Sequence, residues 1–266
     1  MNSKAKKSLG QNFLTNENEI KNIVSALNPK DGEVIFEIGP GHCELTKEIK
    51  KRGSKIKIIA IEKDGGLAGL LSERFKNHTD TEIISGDALR VIPGLVSGRS
   101  PQVTHYKLIG NIPYYITGFL LRTLGELGNK PGTAVLTVQR EVAERICARP
   151  PKMNILAASV RFWAEPETLG VISKNDFRPK PRVDSAVIKL TTKKNRPTTR
   201  EAKKYYGFIR VLFKQPRKTT LNNLSFFTKN RRIAEEKLKK IGVDPTIRPQ
   251  NMGISEIRRL AGEFSD

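Results

Sequence analysis

The chain has 266 residues and a formal net charge of +21, from 48 Lys and Arg against 27 Asp and Glu. That length holds one large domain, or a large one with a small companion, and the charge excess points to an anionic polymer as partner, nucleic acid first. No apolar run reaches membrane-spanning length, no apolar stretch follows the Lys-rich start, and Cys43 and Cys147 stand at no metal or redox spacing. These facts argue against a membrane protein, a secretory signal, a zinc site and a disulfide scaffold, and for a reduced, cytoplasmic, soluble chain.

Residues 1–14 read as a basic arm that includes Lys4, Lys6 and Lys7. Asn16 is placed to cap a helix whose apolar positions Ile20, Ile23, Val24 and Leu27 follow helical spacing. Val34–Ile38 is a continuous apolar run with one carboxylate, Glu37, as a buried parallel strand requires. Gly39-Pro40-Gly41 turns into a helix over 44–51. Strands over 57–61, 82–85 and 106–109 follow, with a helix over 67–75 between the first two. Another helix is expected over 118–127, then a strand over 133–138 and a helix over 141–148. Strands alternating with helices specify an α/β domain with a mainly parallel sheet. Beyond Pro150-Pro151, a helix over 155–163 precedes strands over 168–172 and 183–191, whose hairpin-like order puts an antiparallel strand at one edge of the sheet.

Residues 193–199 read as a polar, basic, Pro-containing linker and only helical patterns follow, so the expected division is a sheet domain over 1–192 and a small all-helical domain over 193–266. That last quarter holds 19 Lys and Arg against 7 Asp and Glu, +12 of the total +21. Charge of one sign at that density reads as a nucleic-acid clamp.

Ligands of such sheets collect at the carboxyl ends of the strands, and here those ends carry polar or turn residues. Glu37-Ile38-Gly39-Pro40-Gly41-His42-Cys43-Glu44 has the first two glycines of a dinucleotide loop, but Glu44 holds the third position and opposes a pyrophosphate. Glu62 ends the next strand, where a carboxylate can take both ribose hydroxyls, and Asp87 ends the third, where it can accept from an adenine amine. A nucleoside cofactor without a pyrophosphate fits best, namely S-adenosylmethionine. At the fourth strand end, Asn111-Ile112-Pro113-Tyr114 sets an amide, a rigid proline and an aromatic within four residues. Such a set suits a flat, uncharged base with an exocyclic amine.

Gly10-Gln11-Asn12-Phe13-Leu14, Glu37-Ile38-Gly39-Pro40-Gly41, Ile61-Glu62-Lys63-Asp64, Gly86-Asp87-Ala88-Leu89 and Asn111-Ile112-Pro113-Tyr114 resemble, in order, the motifs of the rRNA adenine N6-dimethyltransferases. Phe177-x-Pro179-x-Pro181-x-Val183-Asp184-Ser185 and Phe213-x5-Thr219-x-Leu221-x-Asn223 extend the resemblance over nearly the whole chain, toward the housekeeping small-subunit type more than the macrolide-resistance type that modifies 23S rRNA. The resemblance implies a Rossmann-like, S-adenosylmethionine-dependent methyltransferase sheet. It also implies a monomer acting on 16S rRNA in the 30S subunit or its precursor, with two methyls placed on each of two adjacent adenosines in the 3′-terminal hairpin. It places Asn12 and Leu14 over the cofactor, Gly39 beneath its methionine part, Glu62 on the ribose, Asp87 at its adenine, and Asn111 between cofactor and target amine. Three stretches depart from the family pattern: Ile112, Tyr115-Ile116-Thr117 and Met153–Val160.

In that reading the Asn111 side chain and the Pro113 carbonyl hold the N6 hydrogens, while Tyr114 and Phe177 stack on the two faces of a base taken out of its helix. No Asp or Glu lies within 111–117, so no carboxylate base and no metal is expected. The plainer reading of Phe177 is a loop aromatic that fills the core. Two rival functions are a ribosome-assembly factor with secondary catalysis and an NAD(P) oxidoreductase. The missing third glycine and the basic tail oppose the latter.

Overall fold

The computed structural model describes Lys6, residues 9–97 and residues 103–264. Lys4 and Lys7 of the expected arm lie outside them. The chain forms two compact units, one of Met1–Ala143 with Pro166–Thr192 and one of Glu144–Glu165 with Lys193–Asp266.

In the first unit, β1 (Phe13–Leu14) and α1 (Glu17–Leu27) lead into β2 (Val34–Ile38), α2 (Glu44–Lys50), β3 (Lys57–Glu62), α3 (Gly65–Phe75), β4 (Thr81–Ser85), α4 (Ala88–Val96), β5 (Lys107–Asn111), α5 (Thr117–Glu126) and β6 (Thr133–Gln139). Helix α6 (Arg140–Cys147) follows, then helix α7 (Ile155–Arg161), which belongs to the second unit, and after it β7 (Ala164–Ile172), β8 (Phe177–Arg178) and β9 (Ser185–Thr192). Seven strands make one sheet in the order β4-β3-β2-β5-β6-β9-β7. The first five run parallel, and β9 pairs antiparallel with β6 from Thr133↔Thr191 to Gln139↔Ser185. The sheet is thus the mainly parallel one expected, with its antiparallel strand toward the closing edge. Ile58, Ile59, Ala60 and Ile61 are all buried, as a strand covered on both faces must be.

Polar residues at the strand ends start the helices. Asn16 accepts from the Asn18 and Glu19 amides, Asp64 from Gly66 and Leu67, and Asp87 from Leu89, each satisfying donors that have no partner inside the helix. Between Gly86 and Tyr106 the sequence pattern assigns no helix. The structure has α4 there with Pro93 inside it. The pair β1–β8, with Phe13↔Arg178 and Leu14↔Phe177, is also invisible in the sequence, since two residues carry no period.

The second unit adds α8 (Thr199–Leu212), α9 (Thr220–Thr228), α10 (Arg231–Lys240) and α11 (Ile254–Phe264). The expected boundary at 192/193 is incomplete, because 144–165 belongs to this unit. Ala157, Ala158 and Phe162 share one core with Tyr205, Ile209, Leu224, Leu238 and Leu260. The Phe162 and Tyr205 rings stack 3.8 Å apart, and the Tyr205 hydroxyl donates to the Ala158 carbonyl at 3.1 Å. Buried Arg161 is satisfied by the Ala148 and Cys147 carbonyls at 3.0 and 2.8 Å and by Glu165 at 2.6 Å. The polar members of the motif around 213–223 are structural. Thr219 caps α9, and buried Asn223 bonds the Gln215 amide and carbonyl at 3.0 Å each and the Thr219 carbonyl at 3.1 Å.

One glycine sets how closely β5 approaches β2. A Cβ on Gly110 would lie 2.7 Å from the Ile38 carbonyl oxygen and 3.1 Å from the Ile38 Cβ. Backbone cannot yield there as a flexible side chain would, so Gly110→Ala is expected to destabilise the fold by about 1–3 kcal/mol, the usual cost of overpacking. A urea titration showing an unchanged midpoint would contradict this.

Candidate active site

Parallel register brings the strand ends to one edge. Ile38 pairs with Ile61 on one side and Gly110 on the other, Ile61 with Ile84, and Glu62 with Ser85. The residues just beyond, Gly39, Gly86-Asp87 and Asn111, therefore meet beside Glu62. They line a cavity of about 780 Å³, counting its open mouth, together with Gly10–Phe13 and Pro113–Ile116. Of the residues singled out in the sequence, Asn12, Gly39, Glu62, Asp87, Asn111, Pro113 and Tyr114 share this cavity. Leu14 does not; it lines a neighbouring hollow with Gly39, Gly41 and Asn111. Phe177 lines neither. Its side chain is 1% exposed and packs in the core with Leu14, Ile172 and Val187. The expectation of a Phe177 ring facing the ligand is corrected by this burial, which β8 imposes by pairing Phe177 with Leu14.

The arm is strapped over the strand ends. Lys6 Nζ donates to Asp64 Oδ1 at 2.7 Å, and its ammonium holds the Asp64 carboxyl below the ordinary aspartate range. The Phe13 ring stacks on His42 with centroids 4.1 Å apart. Gly41, at φ 55°, lies directly under that ring, and a Cβ on it would sit 2.8 Å from Phe13. Asn111 Nδ2 donates to the Asn12 carbonyl at 2.6 Å. Sequence reasoning assigned no role to Lys6, Phe13, Asp64 or His42. Asp64 alone carried a local signal, as a capping residue ahead of a helix.

Two carboxylates lie deep in the site and two others are ion-paired. Burial raises the Glu62 carboxyl above its ordinary value, against the Asp64 amide at 2.9 Å and the Gly41 amide at 3.4 Å, which favour the charged form. At Asp87 burial also pushes upward, but Lys63 Nζ at 2.9 Å and the Leu89 amide at 3.0 Å outweigh it and hold the carboxyl low. Glu37 is fully buried: Oε2 accepts from Thr46 Oγ1 at 2.6 Å, and Oε1 has no partner among the described residues. Burial raises its carboxyl from 4.5 to about 7.

The Tyr114 hydroxyl is hydrogen-bonded to Ser185 Oγ at 3.0 Å, which anchors the far end of the ring to β9. Burial pushes the phenol up, so it stays neutral. Ser185 belongs to a motif visible in the sequence, but only the antiparallel pairing of β9 with β6 shows what it does. Tyr115 is half exposed at the mouth, with Lys63 Nζ 5.9 Å from its ring centroid.

Residues 2–264 match the family described as ribosomal RNA adenine dimethylase. The proteins named ribosomal RNA small subunit methyltransferase A from Mycoplasma capricolum and Pelotomaculum thermopropionicum are 36% and 37% identical to this chain, covering 97% and 98% of it and 96% and 92% of their own lengths. Among solved structures, a dimethyladenosine transferase from Plasmodium falciparum superposes with a TM-score of 0.74 at 22% identity, covering 93% of this chain and 95% of that one. The 23S rRNA methyltransferase ErmE gives 0.71 at 22%, covering 96% and 100%. These two share the Rossmann-like methyltransferase fold.

Glu37 predicts a pH dependence of stability. The unfolded chain releases this proton near 4.5 and the folded chain near 7, so across that window the folded state holds the extra proton and stability falls as pH rises. One extra bound proton is worth about 1.4 kcal/mol for each pH unit crossed, so the fall is about 3 kcal/mol. Glu37→Gln keeps an oxygen for Thr46 and removes the titration. Its thermal midpoint is expected to exceed that of the parent at pH 8 and to match it at pH 4. Parallel melting curves across the window for the two proteins would overturn this.

Proposed function

Because the chain belongs to the ribosomal RNA adenine dimethylase family, we propose that this cavity transfers methyl groups from S-adenosylmethionine to N6 of two adjacent adenosines in the 3′-terminal hairpin of 16S rRNA. The substrate would be the 30S subunit or its precursor, in the cytoplasm. The observation that carries the reading is Asn111. Its amide nitrogen is committed to the Asn12 carbonyl, while its Oδ1 accepts no hydrogen bond among the described residues and stands beside Pro113 and Tyr114.

The residues present fit the cofactor. A buried carboxylate, Glu62, lines the cavity and offers an acceptor for the two hydroxyls of a ribose. A dinucleotide fits less well, since α2 opens with Glu44 where a pyrophosphate would lie. Asp87 offers its oxygens to the adenine amine in company with Lys63, and Gly39 and Asn12 line the walls. When bound, S-adenosylmethionine supplies an electrophilic methyl group on a positively charged sulfur.

The chain's own work is positioning. Asn111 Oδ1 and the Pro113 carbonyl accept the two hydrogens of the target amine and turn its lone pair out of the ring plane. The Pro113 carbonyl already accepts from the Ile116 amide at 3.1 Å and has a second lone pair to offer. The Tyr114 ring, held by Ser185, gives the flipped base one stacking face. Phe177 contributes from behind, by packing against Leu14 beneath the arm. Once methylated, N6 is acidic and sheds its proton to water or a carbonyl, which accords with the lack of a carboxylate in 111–117. The 23S alternative rests on a shared fold, whereas the small-subunit relatives match in sequence along nearly their full length.

Asn111→Ala is expected to lower methyl incorporation into unmethylated 30S subunits by about a hundredfold or more, because a misplaced amine loses its in-line geometry. Binding to 30S should change little, since phosphate contacts dominate RNA affinity. Tritium incorporation beside filter binding reads both. Label entering naked 23S rRNA and not 30S would favour the large-subunit type, and tight binding without label would favour the assembly-factor reading. Glu62→Gln removes the charge of a hydrogen-bond acceptor, worth about 1.5–3 kcal/mol, so cofactor affinity measured by calorimetry should fall about tenfold or more. An unchanged affinity would remove Glu62 from the ribose.

A further inference from the structure

Within the helical unit the exposed large hydrophobic side chains, among the described residues, are Phe226, Phe227 and Ile233. All three flank one feature, the connection from α9 to α10. Phe226 and Phe227 end α9 at 70% and 46% exposure, and Ile233 lies in the first turn of α10. Aromatic rings held in water without a partner are costly to keep and ask for an occupant. Lys229, Arg231 and Arg232 rim the feature. Between Glu201 and Glu235 the chain carries nine Lys and Arg and no Asp or Glu.

The connection is closed by its own hydrogen bonds. Lys229 sits at φ 54°, the Thr228 hydroxyl donates to the Asn230 carbonyl at 2.7 Å, and Asn230 accepts from the Arg232 and Ile233 amides at 2.9 and 3.3 Å. Arg231 is tied across the turn to Asn222 Oδ1 at 2.9 Å, and Arg232 lies 3.4 Å from Glu236.

We propose that Phe226 and Phe227 are a stacking platform for unpaired RNA bases, with Lys229, Arg231 and Arg232 taking the flanking phosphates. The occupant follows from charge and shape together. Lys229, Arg231 and Arg232 lie within six residues of Phe226 and Phe227, and no carboxylate occurs between Glu201 and Glu235, a one-signed charge that a polyanion answers. An unbroken RNA duplex presents phosphates and hydroxyls to the cations but hides its base faces, leaving two phenyl rings nothing to cover. A loop or bulge beside a stem offers both. This deepens the reading of the chain as a small-subunit rRNA enzyme and rests on it. It adds a second base-binding site, on the helical unit, that takes no part in methyl transfer and biases the enzyme toward RNA with an open loop near its stem.

The test uses the full chain with Phe226→Ala/Phe227→Ala, Phe226→Trp/Phe227→Trp and Lys229→Gln/Arg231→Gln. Each is titrated against a looped rRNA fragment and the same stem closed as a blunt duplex, over a series of KCl concentrations. The alanine pair should bind the looped RNA about tenfold or more weakly, with an unchanged salt slope and unchanged duplex affinity, since stacking releases no counterions. The tryptophan pair should restore binding, and the glutamine pair should flatten the slope on both RNAs. Unchanged helical circular dichroism and an unchanged thermal midpoint verify that the variants are folded. Equal looped-RNA affinity in the alanine pair and the parent overturns the proposal, as does an equal loss on loop and duplex. Pelleting with phosphatidylserine vesicles that depends on the two phenylalanines would overturn it in favour of a membrane surface. Failure of the parent to bind either RNA would instead be a failure of the rRNA reading on which it rests.

Discussion

The hydrogen-bond register of the five parallel strands is the constraint on which the site depends. With Ile38 opposite both Ile61 and Gly110, and Ile61 opposite Ile84, the chain leaves β2, β3, β4 and β5 at one level. A slip of one residue on any strand would turn its terminal side chain to the other face and take Glu62, Asp87 or Asn111 out of the cavity. The near approach at Gly110 and the unbroken burial of Ile58–Ile61 hold that register by packing rather than by polar contacts at the site.

On this edge the chain gathers more negative charge than it neutralises. Lys6 and Lys63 answer Asp64 and Asp87 from the rim, where an ion pair is weak and yields easily to a ligand. Glu37 and Glu62 have no such cation among the described residues. Burial makes their charged forms costly, and only amide donors and one hydroxyl offset it. Positive charge brought into the cavity beside Glu62 would offset that cost, so the proposed sulfonium cofactor suits this edge better than an anionic dinucleotide.

The aromatic residues divide the labour in a way their spacing along the chain conceals. Phe177 and Phe13 are structural, one filling the core behind β1 and the other lying over Gly41. Tyr114 lines the cavity with its hydroxyl tied to Ser185, which fixes the orientation of the ring. Tyr115 remains half exposed at the mouth near Lys63. Phe226 and Phe227, far along the sequence, are exposed on a turn among cations.

Residue type and period alone determined the alternation of strands and helices, the polar strand ends, the absence of a third loop glycine, and the basic, all-helical tail. Each of these is a local property: a strand buried on both faces must be apolar, and a glycine or a capping acid acts on its own backbone. The placement of Glu62, Asp87 and Asn111 at the strand ends was legible for the same reason, since a strand end is where a polar residue after an apolar run must go. Tertiary structure decided the rest. The joining of 144–165 to the helical unit depends on Phe162 meeting Tyr205 across more than forty positions. The strap over the cavity depends on Lys6 reaching Asp64 and Asn111 reaching Asn12. In sequence Phe177 and Tyr114 are both aromatics beside prolines, and only the pairings of β8 with β1 and of β9 with β6 send one into the core and the other to the cavity wall. Those pairings join residues whose separation in sequence carries no period, so no local pattern could announce them.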